Sequence, residues 1–415
     1  MEIIGTNVIL AVTFIQYCGQ ISCLNLSEAN LHKDLFSDYN PNVMPQENKS
    51  VPVNVTLDMY LMSIDNVDEK RQTITIKAFL EIKWRDAFLT WDPMKYPGVS
   101  VISVRNTDIW IPDVVLQDTF DKLTDLGQEG GKANVKSDGV VTIWPYKIYT
   151  VACKISISKF PFDKQNCEFD FLSWSHPTSV LVLNSLQTKP DMTFFAESGE
   201  WDLTGSEVKL VRRAYGTDAW DHVYIFFELR RKSLYHVMNI IIPVLCISIL
   251  NIVSFLLPAE SGERITLSIS IFLTLAVFLT TVNNSMPESS DEVASFSVYV
   301  GLQLLGSAFT IIFTVISLNL FHHERNCSLP RILRTFVKVF CVTKANGRYQ
   351  IGADAQNETS VACLDDMSHD HIKAGNDYRP MTWKMVSRAT DKLCLISAIF
   401  WHVILTASLI ISVRY

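Results

Sequence analysis

Residues 262–287 read GERITLSISIFLTLAVFLTTVNNSMP, and between Arg264 and Pro287 there is no charged side chain. A helix of this length crosses a bilayer core of about 30 Å. It is nevertheless a poor lipid anchor, because it carries Thr266, Ser268, Ser270, Thr274, Thr280 and Thr281. Hydroxyls at membrane depth face protein or water. At helical spacing one stripe runs Thr266, Ser270, Leu273, Val277, Thr280, Asn284, polar at its ends and apolar in the middle. A helix lining a watery pore with a hydrophobic constriction would carry this pattern. A plain anchor helix whose hydroxyls bond its own backbone would carry it too.

The rest of the chain decides between them. Of its 415 residues 48% are hydrophobic and 19% charged, with mean hydropathy +0.18, which points to a membrane protein. The formal net charge of −7 gives no basic footprint for nucleic acid. Neither a phosphate-cradling loop nor a zinc-hydrolase or dithiol motif is present. Neither a nucleophile–base constellation nor a metal cluster can be named, so no enzymatic activity, cofactor or metal is expected. Repeated broken spans, the mark of many transporters, are absent as well.

Further apolar runs cover 233–259, 293–321 and 393–413, so with 265–287 there are four expected spans. Pro243 lies inside the first, where a bundle tolerates it. Before them, LDMYLMSI, TITIKAFLEIKW, VVTIWPYKIYTVACKISI and HVYIFFELRRK are β-branched and aromatic runs, several of them alternating apolar and polar residues, between turn-like stretches. They predict an all-β sandwich. Residues 1–22 resemble a secretory signal peptide, although Glu2 stands where a basic residue is usual. Sequons follow at Asn25, Asn48 and Asn54. Between the leader and the first span the cysteines are Cys153 and Cys167 once Cys23 is set aside, and an isolated pair outside the cell reads as one disulfide. The expected organisation is therefore a leader (1–22), an extracellular β-sandwich (23–232), three spans (233–321), a cytoplasmic segment with short helices (322–390) and a fourth span with a short outer end (391–415). Arg230, Arg231 and Lys232 at the first span would by themselves favour a cytosolic start. Leader, sequons and disulfide all oppose that.

Residues 153–167 read CKISISKFPFDKQNC. Two cysteines enclosing Phe160, Pro161, Phe162 and Asp163 at this spacing resemble the signature loop of the Cys-loop pentameric ligand-gated ion channels, in their nicotinic and serotonin-like cation-selective branch. Trp110-Ile111-Pro112-Asp113, Pro243, Gly262-Glu263-Arg264 followed by ITLSIS, and Asp391-Lys392 are similar to further motifs of that family. The resemblance runs from about Leu57 to Val413.

It implies an extracellular agonist held between subunits, a pentamer in the plasma membrane with its N-terminus outside, and a synaptic setting, including the postsynaptic membrane. It implies that 262–287 lines the pore, with Glu263 and Glu260 at the cytosolic mouth favouring monovalent cations. Anion-selective relatives carry Pro-Ala where this chain has Gly262-Glu263. By position, the agonist site maps to Trp174, Tyr215 and Trp220 on one face and Phe79 on the other. Gln117 stands where nicotinic relatives have tyrosine. The capping segment 212–221 lacks an adjacent cysteine pair and carries Arg212 and Arg213, which would repel a cationic amine if they faced inward. An accessory subunit that needs partners is therefore the alternative. Coupling between domains maps to Glu69, Arg231 and the loop tip at 160–163.

Overall fold

The structure is a computed structural model. It describes residues 27–46, 48, 50–120, 122–123, 126–127, 130–284, 286, 292–323, 333, 337 and 383–414. The expected leader, Asn25 and most of the expected cytoplasmic segment lie outside the described residues. The chain falls into two compact units, one of Met1–Val237 with Asn283–Ala294 and the other of Met238–Val282 with Ser295–Tyr415.

The first unit opens with a short helix, α1 (27–36), which buries Leu31. The strands are β1 (Val53–Asp68), β2 (Thr73–Arg85), β3 (Val101–Arg105), β4 (Val114–Leu116), β5 (Lys132–Lys136), β6 (Val140–Ile143), β7 (Tyr146–Ala152), β8 (Lys164–Ser173), β9 (Leu181–Asn184), β10 (Trp201–Tyr215) and β11 (Asp218–Arg231). One sheet runs β3-β5-β6-β2-β1-β9 with β7 also on β2; the other runs β10-β11-β8-β4. Alternation makes the sandwich. In β2, Ile74, Ile76, Ala78, Leu80, Ile82 and Trp84 are buried while the residues between them are not. In the second sheet Cys167, Phe169, Phe171, Val223, Ile225, Phe227 and Leu229 are buried on the inner face. The two inner faces meet edge-to-face at Tyr149–Phe171, 6.1 Å between ring centroids.

The second unit is built on α2 (Leu234–Leu256), α3 (Arg264–Asn284), α4 (Ser295–Phe321) and α5 (Trp383–Arg414), each long and apolar enough to cross a membrane. Its patterning is the reverse of a soluble bundle. Ser248, Asn251, Ser268, Gln303, Ser307, Thr314 and Ser317 are buried, whereas Ile249, Leu250, Ile312, Phe313, Phe400 and Val403 are exposed. An apolar surface with polar groups turned inward suits hydrocarbon as the surrounding solvent. Pro243 produces a π-helical stretch at Val237–Ile241 just before it rather than a break, since a proline nitrogen cannot donate back to the preceding turn. The last helix begins at Trp383, so WKMVSRATDK runs on as helix into the apolar run at 393–413.

Candidate ligand site, coupling cluster and helix stripe

The hairpin β10–β11 turns at Gly216, whose φ of 68° is accessible to glycine without strain. Beside it, β11 pairs with β8 so that His222 faces Leu172 and Tyr224 faces Asp170. Residues 220, 222, 224 and 226 therefore share the outer face of this sheet with 168, 170 and 172. Trp174 follows the end of β8 and is 58% exposed, so it is not a core tryptophan. Asp113 of the WIPD stretch holds it there: its carboxylate accepts hydrogen bonds from Ser173 Oγ and Ser175 N, each at 2.6 Å, and its carbonyl accepts one from Trp174 N. Thr178 N donates to Ala219 O and ties the same turn to the hairpin.

Tyr215, half-exposed, lies edge-on to Trp220 at 5.9 Å and near the ring of His222 at 6.1 Å. His222 is fully buried and stacks on Tyr224 at 5.6 Å. Its Nδ1 sits 2.9 and 3.0 Å from the two carboxylate oxygens of Asp170, and its Nε2 has no hydrogen-bond partner. Burial raises the Asp170 pKa despite the imidazole beside it. Gln117 is exposed, and its backbone N–H donates to Asp170 O.

The two arginines of the hairpin behave differently. Arg212 is paired with Asp221, Nε to Oδ1 at 2.7 Å and Nη2 to Oδ2 at 3.2 Å. Arg213 lies over the ring of Tyr224, 5.1 Å from its centroid. Phe79 belongs to the other sheet, stacked on Tyr60 at 4.6 Å and flanked by Phe194 at 5.8 Å. Among the described residues it makes no ring contact with Trp174, Tyr215 or Trp220 of the same chain.

The second constellation lies at the 153–167 loop. Cys153 and Cys167 are disulfide-bonded. Phe160 is buried, the Phe160–Pro161 peptide is cis, and Phe162 is 44% exposed. Arg231 donates from Nε to Asp163 Oδ1 at 2.8 Å and from Nη2 to Asp163 Oδ2 at 3.1 Å, and its Nη1 lies 2.7 Å from Glu69 Oε1. Its guanidinium is sandwiched by Trp201 at 4.2 Å and Phe160 at 5.1 Å. Burial works against this charge, but the two carboxylates outweigh it and hold the Arg231 pKa above its ordinary value. Ser156 of the same loop donates to Glu292 Oε2 at 2.7 Å.

On α3, Thr266, Ser270, Leu273, Val277, Thr280 and Asn284 are all exposed, whereas Arg264, Ser268, Ile271, Leu275 and Val282 are buried. The hydroxyls of Ser270 and Thr280 donate to Thr266 O and Val277 O. Such bonding satisfies the hydroxyl proton and leaves the oxygen lone pairs free. Glu263 is exposed just ahead of the helix; the side chain of Glu260 lies outside the described part of the chain. Asn48 and Asn54 are exposed.

One ion pair, buried at Arg264 and 18% exposed at Asp391, joins residues that no sequence motif connects. Arg264, fully buried, donates from Nη2 to Asp391 Oδ1 at 2.8 Å, and Ser317 Oγ donates to the same oxygen at 2.6 Å. The sequence signal was Asp391 at the head of an apolar run, a charge that needs a partner at membrane depth.

Residues 28–233 match the family profile described as neurotransmitter-gated ion-channel ligand binding domain, and residues 240–345 match the neurotransmitter-gated ion-channel transmembrane region. The chain is 35% identical over 325 residues to acetylcholine receptor subunit alpha-1-B of Xenopus laevis, covering 77% of this chain and 70% of that protein. This chain belongs to the Cys-loop neurotransmitter-gated ion-channel family. It is also 28% identical over 418 residues to neuronal acetylcholine receptor subunit alpha-5 of Rattus norvegicus, spanning 95% of this chain and 91% of the relative. Against the alpha-6 subunit of the same species it is 34% identical over 327 residues, or 78% of this chain and 66% of the relative. It is a nicotinic acetylcholine receptor-like subunit of a ligand-gated channel, a multi-pass membrane protein and not an enzyme.

Proposed function

We propose that this chain assembles as a pentamer, with copies of itself or related subunits, into a channel at the synaptic plasma membrane. An extracellular small molecule opens it to monovalent cations. The observation that carries the reading is the exposed stripe of α3. A helix alone in lipid has no use for Thr266, Ser270 and Thr280 on its most exposed face, while helices gathered round water do. In that arrangement Leu273 and Val277 form the constriction that closes by dewetting. Glu263, with Glu260, concentrates cations at the inner mouth, and Asn284 leaves the outer mouth uncharged.

The agonist would sit between Trp174, Tyr215 and Trp220 of one subunit and Phe79 of the next, with Gln117 at the edge. Movement of the hairpin would reach the membrane helices through Glu69, Arg231 and the loop at Phe160, Pro161, Phe162 and Asp163. Asn25, Asn48 and Asn54 are the proposed glycan acceptors. Exchanging Gly262-Glu263 for Pro-Ala should move the reversal potential toward that of chloride. Unchanged cation selectivity would remove Glu263 as the filter.

A second reading is an accessory subunit that assembles but does not open alone. It is favoured by the hairpin itself, where Gln117 stands in place of an aromatic residue and Arg213 shares the face of Trp220 and Tyr224. Current from cells expressing only this chain, under a panel of small ligands, separates the two.

A further inference from the structure

We propose that Arg213 is a tethered cation occupying the aromatic floor of the hairpin site, so that this face of the subunit rejects small quaternary ammonium ligands. The inference rests on the reading of the hairpin as a ligand site and names the specificity of that site.

Tyr224 stands on the outer face of its sheet, yet only 4% of it is exposed. The Arg213 guanidinium lies 5.1 Å from its ring centroid, which is the position an ammonium group takes over an aromatic face. Register explains why this arginine and not its neighbour covers the ring. Arg213 pairs with Trp220 and Lys209 with Tyr224, so odd residues of β10 share the face of even residues of β11. Arg212 points to the other face and is neutralised by Asp221 at 2.7 Å.

Arg213 has no such partner. Among the described residues no carboxylate lies within ion-pair distance of it. Asp170, its oxygens 2.9 and 3.0 Å from His222 Nδ1, lies beyond ion-pair distance of Arg213 and offsets its charge only in part. The Tyr224 ring, which could attract a ligand cation, therefore already carries one. A second positive charge about 6 Å away at such a part-exposed site loses roughly tenfold or more in affinity. Arg213 is itself exposed, so replacing it does not open a cavity.

Phenyltrimethylammonium is the probe. Its binding to the full-length receptor in lipid nanodiscs is measured by titration calorimetry for the wild type, R213Q, R213K and R212Q. R213Q should bind at least tenfold more tightly than the wild type. R213K, which keeps the charge, should stay within about threefold of the wild type, and so should R212Q. The gain in R213Q should shrink as salt rises, because exposed charges are screened.

The proposal is overturned if R213Q binds no better than the wild type, if R213K gains as much as R213Q, or if no variant binds the probe. None of these readouts needs a current. A conducting channel without the R213Q gain removes this inference and leaves the channel reading standing. A tenfold gain in a receptor that never conducts does the reverse.

Discussion

Replacing Arg231 by glutamine leaves Asp163 as a buried carboxylate without its cation. The Arg231 and Asp163 side chains are 5% and 2% exposed, whereas Glu69 is 22% exposed. Removing one partner of a buried pair costs about 3–5 kcal/mol. Loss of the contact with Trp201 at 4.2 Å adds about 1 kcal/mol. One thing offsets part of this: Asp163 keeps its hydrogen bond from Gln165 Nε2 at 2.6 Å. The net is about 3–5 kcal/mol, and for a unit of this size that lowers the melting temperature by roughly 10 °C. Glu69 returns to water when freed, so E69Q should lose only about 1 kcal/mol. The R231Q/D163N double variant should recover about 2 kcal/mol over R231Q, because it no longer buries a bare charge. The assay is thermal unfolding of the purified receptor followed by tryptophan fluorescence, with Trp201 as a reporter beside the site. A fall below about 3 °C in R231Q, or a double variant as weak as the two singles added, would refute the assignment of the cost to Asp163.

Leu273 is 58% exposed on the α3 stripe, and L273T should ease wetting of the constriction and raise agonist sensitivity about tenfold or produce a standing leak; recorded currents check it. C153S/C167S should destabilise the extracellular unit by about 3 kcal/mol and reduce surface delivery, measured by cell-surface biotinylation. Burial raises the Asp86 pKa, although Tyr39 donates to it at 2.6 Å and pulls the other way. The folded chain then holds this proton more tightly than the unfolded chain does. Stability from this group is full below the unfolded carboxylate pKa and falls as pH rises toward the raised value. D86N should remove that part of the pH dependence, read as melting temperature across the acid range.

Much of the fold was legible because two periodicities dominate the chain. The period of two in TITIKAFLEIKW put Ile74, Ile76, Ala78 and Leu80 inside, and the charge-free runs declared four spans. The site was legible where one residue type has few uses, as with two cysteines around Phe160-Pro161-Phe162-Asp163. It was not legible where function hangs on which face a strand presents. Arg212 and Arg213 are alike in sequence, and only the pairing register sends one to Asp221 and the other to Tyr224. The His222–Asp170 contact is hidden for the same reason, since it joins residues 52 positions apart across β11 and β8. Arg264 and Asp391 sit 127 positions apart, and only the packed helices make them one pair.

The account stands on water meeting one side of α3. Cysteines placed one at a time at Ser270, Leu273 and Val277, and as controls at Ser268, Ile271 and Leu275, are exposed to a charged methanethiosulfonate reagent while current is recorded. The account predicts that the first set reacts and blocks current and that the second set is inert, matching their exposed and buried places on the helix. Reaction at neither set, or equally at both, would contradict it.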